Sequence, residues 1–257
     1  MDETASGPAR ADQFSDMGGV YEESEQQPLR RDLEAPSMFR ALGDVHGLEV
    51  LDAGCGSGFY TRLLAQAGAG RVLGLDGSAG MLAVARERED REHLGVAYEH
   101  GDVADAAQWG PFDVVCAVYV LPYAPSRERL AAMCRGVAGA LRPGGRFVTF
   151  ALNPEVSTDR DWYEPYGFTV EPAAPGTPDG DGMPLALTVT FLQTPMTIHP
   201  YRWSRATHEW ALREAGFTDV AWTSPEPTAR GIDQQGAAYW ERYTRRPHAL
   251  IVQADRH

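Results

Sequence analysis

The chain has 257 residues, with 36 acidic against 23 basic side chains and a formal net charge of −13. That length is enough for one domain with a substantial core, while the acidic balance and the lack of a Lys/Arg block argue against a nucleic-acid partner. Cys55, Cys116 and Cys134 are odd in number and sit in apolar settings, against a disulfide framework. No apolar run reaches the ~18 residues a membrane span needs, so the expectation is a soluble cytoplasmic protein with no membrane partner.

Residues 1–20 are polar and small, which predicts a mobile tail; residues 21–257 are predicted as one domain. Tyr21 to Leu42 reads as helical pieces broken at Pro28 and Pro36, with Leu29, Leu33, Met38, Phe39 and Leu42 on one face. Residues 21–46 are thus expected to form a helical cover. The run Leu48-Glu49-Val50-Leu51-Asp52-Ala53 is a strand that ends in Gly54-Cys55-Gly56-Ser57-Gly58 and flows into a helix. Alternate glycines let the backbone turn sharply and let a ligand approach the amides. A strand, glycine loop and helix in that order place the loop at the C-terminal edge of a parallel sheet.

Arg71–Asp76 is the second strand, and Asp76 closes it where a carboxylate can accept from ribose hydroxyls. Ser78 is the predicted N-cap of the next helix. Val96–His100 is a third strand leading to Gly101-Asp102, and Phe112–Leu121 is nearly all apolar, as a strand buried on both faces should be. Ser126–Leu141 carries Leu130, Met133, Val137 and Leu141 at helical spacing; Arg142-Pro143-Gly144-Gly145 stops it and Arg146–Leu152 is the fifth strand. Strands alternating with helices predict a parallel α/β sheet. Over residues 153–203 the alternation breaks into a Pro-, Gly- and aromatic-rich insertion, read as a cover over the sheet edge. A helix from Ser204 to Ala215, a strand Phe217–Trp222, a helix Ala237–Arg245 and a strand His248–Gln253 complete the chain.

With LDAGCGSG, Asp76, Gly101-Asp102 and the Leu141–Gly145 turn in this order, the chain resembles class I S-adenosylmethionine-dependent methyltransferases over roughly Val50–Leu152. Tyr21-Glu22, Pro28-Leu29-Arg30, Gly58-Phe59-Tyr60-Thr61-Arg62, Tyr119 to Ala124, Asn153-Pro154 and Gly236–Trp240 make it similar, more narrowly, to the toxoflavin-type small-molecule methyltransferases. The resemblance implies a Rossmann-like sheet of seven mostly parallel strands with helices on both faces, and S-adenosyl-L-methionine as cofactor. It further implies that Gly54, Gly56 and Gly58 admit the methionine moiety to backbone groups and that Asp52 orients the loop or the cofactor amine. Asp76 would take the ribose hydroxyls, with Gly77 and Met81 beside ribose and adenine. Asp102 and the Val103 backbone would take adenine, and Ala117 and Val118 would face the methionine part. Tyr21 and Arg30 would come from the N-terminal cover, Arg30 onto the cofactor carboxylate. Each has a plainer reading: Asp52 as a loop acceptor, Asp76 as a helix cap, Asp102 as a turn residue, Met81 as core.

A sulfonium methyl is already a good electrophile, so the protein mainly aligns a nucleophile with it. The aromatic-rich insertion and C-terminal segment suggest that Tyr119, Tyr123, Trp162, Tyr166, His199, Tyr201 and Tyr239 bind a flat acceptor, although aromatics of this kind also simply pack. Tyr123 and His199 are the candidate catalytic bases. No His/Cys pattern suggests a metal. The expected reaction is N-methylation of a small nitrogen heteroaromatic in secondary metabolism, with O- or C-methylation of another metabolite next. A nicotinamide-dependent oxidoreductase fits the loop less well, because it expects GxGxxG where this chain has Gly54, Gly56 and Gly58; a catalytically silent cofactor-binding protein is the third reading. Monomer and homodimer are both open.

Overall fold

The computed structural model describes residues 26–192 and 195–257, so Tyr21 and the expected tail lie outside the described residues. Seven strands form the main sheet: β1 (Glu49–Ala53), β2 (Arg71–Asp76), β3 (Ala97–His100), β4 (Phe112–Val118), β5 (Leu141–Leu152), β10 (Phe217–Thr223) and β11 (Ala249–Arg256). Their order is β10-β11-β5-β4-β1-β2-β3. The first five pair in parallel, while β11 runs antiparallel between β5 and β10.

Helices cover both faces because successive strand residues point to opposite sides. Val50, Val72, Val114, Cys116, Val148 and Phe150 pack under α1 (Ala35–Leu42) and α2 (Phe59–Gln66). Their neighbours Leu51, Leu73, Val115, Ala117 and Phe147 pack under α4 (Arg127–Ala140) and α6 (Arg205–Glu214). A further helix, α3 (Ala79–Glu92), follows β2, and Ser78 caps it by accepting from the Met81 amide. Ser126 and Ser204 cap α4 and α6 in the same way. Between β4 and β5 the pairing jumps from Phe112–Leu141 to Val114–Arg146, so the Arg142–Gly145 turn bulges out of the ladder.

The sequence suggested a break at Pro36, but the helix runs through it. Arg30–Glu34 is a π-helical turn whose wider loop, Ala35 N–H to Arg30 O, runs directly into α1. Pro36 has no N–H to give, and the widened turn accommodates its ring against the preceding carbonyls.

After β5 the chain forms α5 (Arg160–Tyr163) and a second, antiparallel sheet of β6 (Phe168–Pro172), β7 (Met183–Val189), β8 (Met196–Ile198) and β9 (Tyr201–Arg202). Two helices, α7 (Ala229–Gln235) and α8 (Ala237–Arg245), precede β11; α7 was not foreseen. Trp240 and Tyr243 of α8 join Leu29, Leu33, Tyr163, Tyr166 and Phe168 in one core that ties the second sheet to the N-terminal helix. No described helix is long and apolar enough to cross a membrane.

The close fit of α4 makes a sharp test. A Cβ at Gly136 would lie 2.1 Å from the Val103 carbonyl oxygen and 2.6 Å from the Ala104 carbonyl carbon, both backbone atoms. Gly136→Ala should therefore destabilise the protein by about 1–3 kcal/mol, read as a lower denaturation midpoint with unchanged m-value.

Candidate active site

The glycine loop is fastened to the end of β2. Leu75 O accepts from both Gly54 N (2.6 Å) and Cys55 N (3.0 Å), and Asp76 Oδ2 accepts from Gly56 N at 2.8 Å. Asp76 Oδ1 accepts from Ser78 N at 2.7 Å. Each carboxylate oxygen keeps a lone pair, and the group borders a cavity of about 620 Å³ along the C-terminal edge of the main sheet. Burial raises the Asp76 pKa, while these two amides pull it back down.

Gly54 and Gly56 sit at φ +74 and +55, which side-chain-bearing residues rarely adopt. A Cβ at Gly54 would strike Val120 at 2.2 Å. Behind the loop, fully buried Asp52 accepts from Thr61 Oγ1 at 2.7 Å and faces Cys116 Sγ at 3.6 Å. Burial pushes its pKa up to about 6. Asp52 thus clasps the start of α2 and also reaches the cavity wall.

At the end of β3, Asp102 caps the following turn through Ala104 N at 2.8 Å and receives the Arg129 guanidinium on both oxygens. Gly77, Met81, Val103 and Val118 complete this half of the cavity. The donor and acceptor set suits a nucleoside: a carboxylate at the sheet edge for a diol, an acidic group and a backbone amide beyond it, and apolar walls for a base.

The other half is lined by Leu29, Tyr119, Tyr123, Leu152 and Tyr166, and by one side of the second sheet: Phe168, Leu187, Val189, Phe191, Met196, Ile198 and Pro200. Tyr119 leaves β4 at φ +59, a costly conformation for a non-glycine residue. It turns the ring against Phe150 and His248, at centroid distances of 5.7 and 5.4 Å. The Tyr119 hydroxyl donates to Glu34 Oε1. Glu34 Oε2 lies 3.5 Å from Arg30 Nε, and its Oε1 lies 3.8 Å from His248 Nε2.

Burial lowers the His248 pKa to about 4, against the pull of Glu34, so the ring is neutral. Its Nδ1 is 2.7 Å from the Tyr243 hydroxyl. With that hydroxyl donating, the proton of the neutral imidazole resides on Nε2, the nitrogen that faces Glu34.

Several expected site residues are elsewhere. Ala117 points into the α4 side of the core while Val118 faces the cavity, because adjacent strand residues alternate. Gly58 is absent from the cavity wall, and its missing Cβ makes room for Tyr98, whose hydroxyl would be 2.3 Å away. His199 is exposed, flanked by Ile198 and Pro200, which face in. Trp162 lies on the outer surface, where Nε1 donates to Arg246 O at 3.2 Å and Arg242 stacks over its ring. Tyr201 packs against the α4–α6 core. Tyr239 lies behind Tyr166, whose hydroxyl donates to the Tyr239 carbonyl at 2.6 Å. Arg30, Asp52, Gly54, Gly56, Asp76, Gly77, Met81, Asp102, Val103, Val118, Tyr119, Tyr123 and Tyr166 all border the cavity.

Glu34, His248 and Arg129 were missed. Glu34 carries no local signal in the sequence, and His248 reads as a strand end. Only the strand order brings the start of β11 beside the end of β5, where Ala249 pairs with Leu152. Among the described residues, no group of three His, Cys, Asp or Glu is placed to hold a metal ion.

Comparison with known proteins agrees with this geometry. Residues 50–145 match a family model described as a methyltransferase domain. The ubiquinone biosynthesis O-methyltransferase of Bradyrhizobium diazoefficiens is 33% identical over 114 residues, 44% of this chain and 44% of that protein. The chain thus spans under half of that relative's length. A crystal structure of an S-adenosylmethionine dependent methyltransferase from Mesorhizobium loti superposes with a TM-score of 0.61 at 23% identity, covering 90% of this chain and 99% of the other. Magnesium protoporphyrin IX methyltransferase from Synechocystis, solved with bound SAM, gives 0.52 at 21% identity over 87% and 77%.

His248 also carries a stability test. Its ordinary pKa near 6.5 falls to about 4 on folding, so the unfolded chain binds the extra proton between those values. The stabilisation is complete above pH 6.5 and is lost as pH falls toward 4. From pH 7 to pH 5 the wild type should lose about 2 kcal/mol more than His248→Gln, measured by denaturant unfolding. Asp52, raised to about 6, contributes with the opposite sign, but equally in both proteins. On the main-sheet topology and the matched domain together, the chain has the Rossmann-like fold of the class I methyltransferases.

Proposed function

We propose that this protein is an S-adenosylmethionine-dependent methyltransferase acting on a small, flat acceptor, with methylation of a ring nitrogen in secondary metabolism as the favoured reaction. The observation that carries the reading is a single cavity with two chemically different halves: an acidic, amide-lined half at Gly54–Gly56, Asp76 and Asp102, and an aromatic and aliphatic half under the second sheet. A nucleoside-bearing cofactor and a planar acceptor fit such a cavity end to end.

In this reading Asp76 accepts from the ribose hydroxyls with the lone pairs that Gly56 and Ser78 leave open. Asp102, held by Arg129, accepts from the adenine amine, and Met81 walls the base. The turn at Gly54 and Gly56 brings backbone close to the methionine end, and Arg30 lies on that side of the cavity. When bound, S-adenosylmethionine supplies an electrophilic methyl group on a sulfonium. The protein's contribution to the step is alignment, which can be worth roughly 7–11 kcal/mol. Tyr119 and Tyr123, on the segment after β4, line the aromatic half, and the second sheet gives the acceptor ring an apolar wall. Tyr123 remains the catalytic candidate on this segment; His199, exposed, is withdrawn.

The name of the Bradyrhizobium relative favours a second reading, methylation of an oxygen. Product analysis by NMR after transfer of a 13C-methyl group separates the two, since N-methyl and O-methyl carbons resonate apart. The cofactor half is tested by calorimetry. S-adenosylhomocysteine should bind at micromolar Kd, and Asp76→Ala should weaken it by about 100-fold or more, as expected for losing two hydrogen bonds to a charged group. Tight binding of NADH with no binding of S-adenosylhomocysteine would overturn the reading in favour of an oxidoreductase.

A further inference from the structure

Glu34 is the one described carboxylate on the wall of the aromatic half of the cavity. Its burial, at 3% exposure, is costly for a group of this kind unless it is well partnered. The partners converge from three separate segments: Arg30 from the π-helical turn, Tyr119 from the end of β4, and His248 from the start of β11. An apolar side chain of similar size would need none of these three partners. A carboxylate offers about four lone-pair positions, and the approach of three neighbours leaves capacity on the side that borders the cavity.

The charge balance is equally specific. Arg30 pairs with Glu34, His248 is neutral, and the second sheet adds only apolar residues to the wall. A bound ring would find in Glu34 the carboxylate acceptor of this wall, beside the hydroxyls of Tyr60, Tyr119, Tyr123 and Tyr166, with apolar surface over its faces. An anionic substituent would lose its hydration in this apolar chamber and find the Arg30 guanidinium already paired with Glu34.

We propose that Glu34 binds the methyl acceptor through one N–H or O–H donor, so that the chamber takes neutral planar rings carrying such a donor and rejects their anionic counterparts. This rests on the methyltransferase reading, because it takes the aromatic half of the cavity as the acceptor site.

The test uses the full chain saturated with S-adenosylhomocysteine and three bicyclic probes at neutral pH: 2-naphthol, 2-methoxynaphthalene and 2-naphthoate. They share one ring system and differ in offering a donor, no donor, or a negative charge. Calorimetry on the wild type should show 2-naphthol binding at least tenfold tighter than the methoxy compound, and no binding of the naphthoate. In Glu34→Gln the tenfold preference should shrink to within about twofold, with S-adenosylhomocysteine affinity retained as the check on folding. Equal affinities for naphthol and methoxynaphthalene in the wild type would overturn the proposal. So would no naphthol binding, naphthoate binding as tight as naphthol, or an undiminished preference in Glu34→Gln. If the variant does not fold, the wild-type series alone decides. Failure of S-adenosylhomocysteine to bind the wild type would instead strike the methyltransferase reading, since that step precedes the probes.

Discussion

The site depends first on the hydrogen bonds between the end of β2 and the glycine loop after β1. One carbonyl, Leu75 O, takes two consecutive amides, and the Asp76 carboxylate takes a third. These bonds fold the loop back over the sheet edge, and Asp52 then clasps Thr61 from below. The same carboxylate that shapes the loop is therefore the polar group best placed to meet a ligand. In the proposed function, fold and binding share this group, so the effect of removing Asp76 on ligand binding is read against a folding control.

The aromatic half is built on a different principle. Its walls come from the N-terminal helix, the end of β4, the second sheet and the start of β11, segments with no sequence proximity. What unites them is the core under the second sheet, where Trp240 and Tyr243 of α8 pack with Leu33, Tyr163 and Phe168. Much of the aromatic content is used there as packing. Tyr163 stacks on Phe168 at 5.0 Å, and Tyr166 meets Tyr243 at 5.0 Å. This aromatic packing adjoins Tyr119, His248 and Glu34, which contact one another across three segments.

The glycine-loop half of the cavity was legible in the sequence because its signals are local. A strand, a glycine loop and an acidic residue at the next strand end specify one geometry, and Ser78, Ser126 and Ser204 mark their helices directly. The errors within it have physical causes. Ala117 and Val118 could not both face the cavity, since neighbours on a strand point opposite ways; Gly58 serves the packing of Tyr98. In the second sheet the same alternation decides against His199, because Ile198 and Pro200 take the inward positions. Trp162, Tyr201 and Tyr239 are aromatic for packing or surface reasons that composition does not distinguish from binding. Glu34 and His248 carry no local signature at all. They meet only because β11 enters the sheet beside β5, a long-range pairing that no short motif encodes.

The claim at the centre of this account is that one cavity holds a nucleoside-bearing ligand and an acceptor end to end, meeting beside Tyr119 and Tyr123. A crystal structure with S-adenosylhomocysteine tests it most directly. The ribose is expected on Asp76, the adenine beside Asp102 and Met81, and the sulfur turned toward the chamber bordered by Glu34 and Tyr119. A ligand whose ribose lies away from Asp76, or whose sulfur is walled off from that chamber, would contradict it.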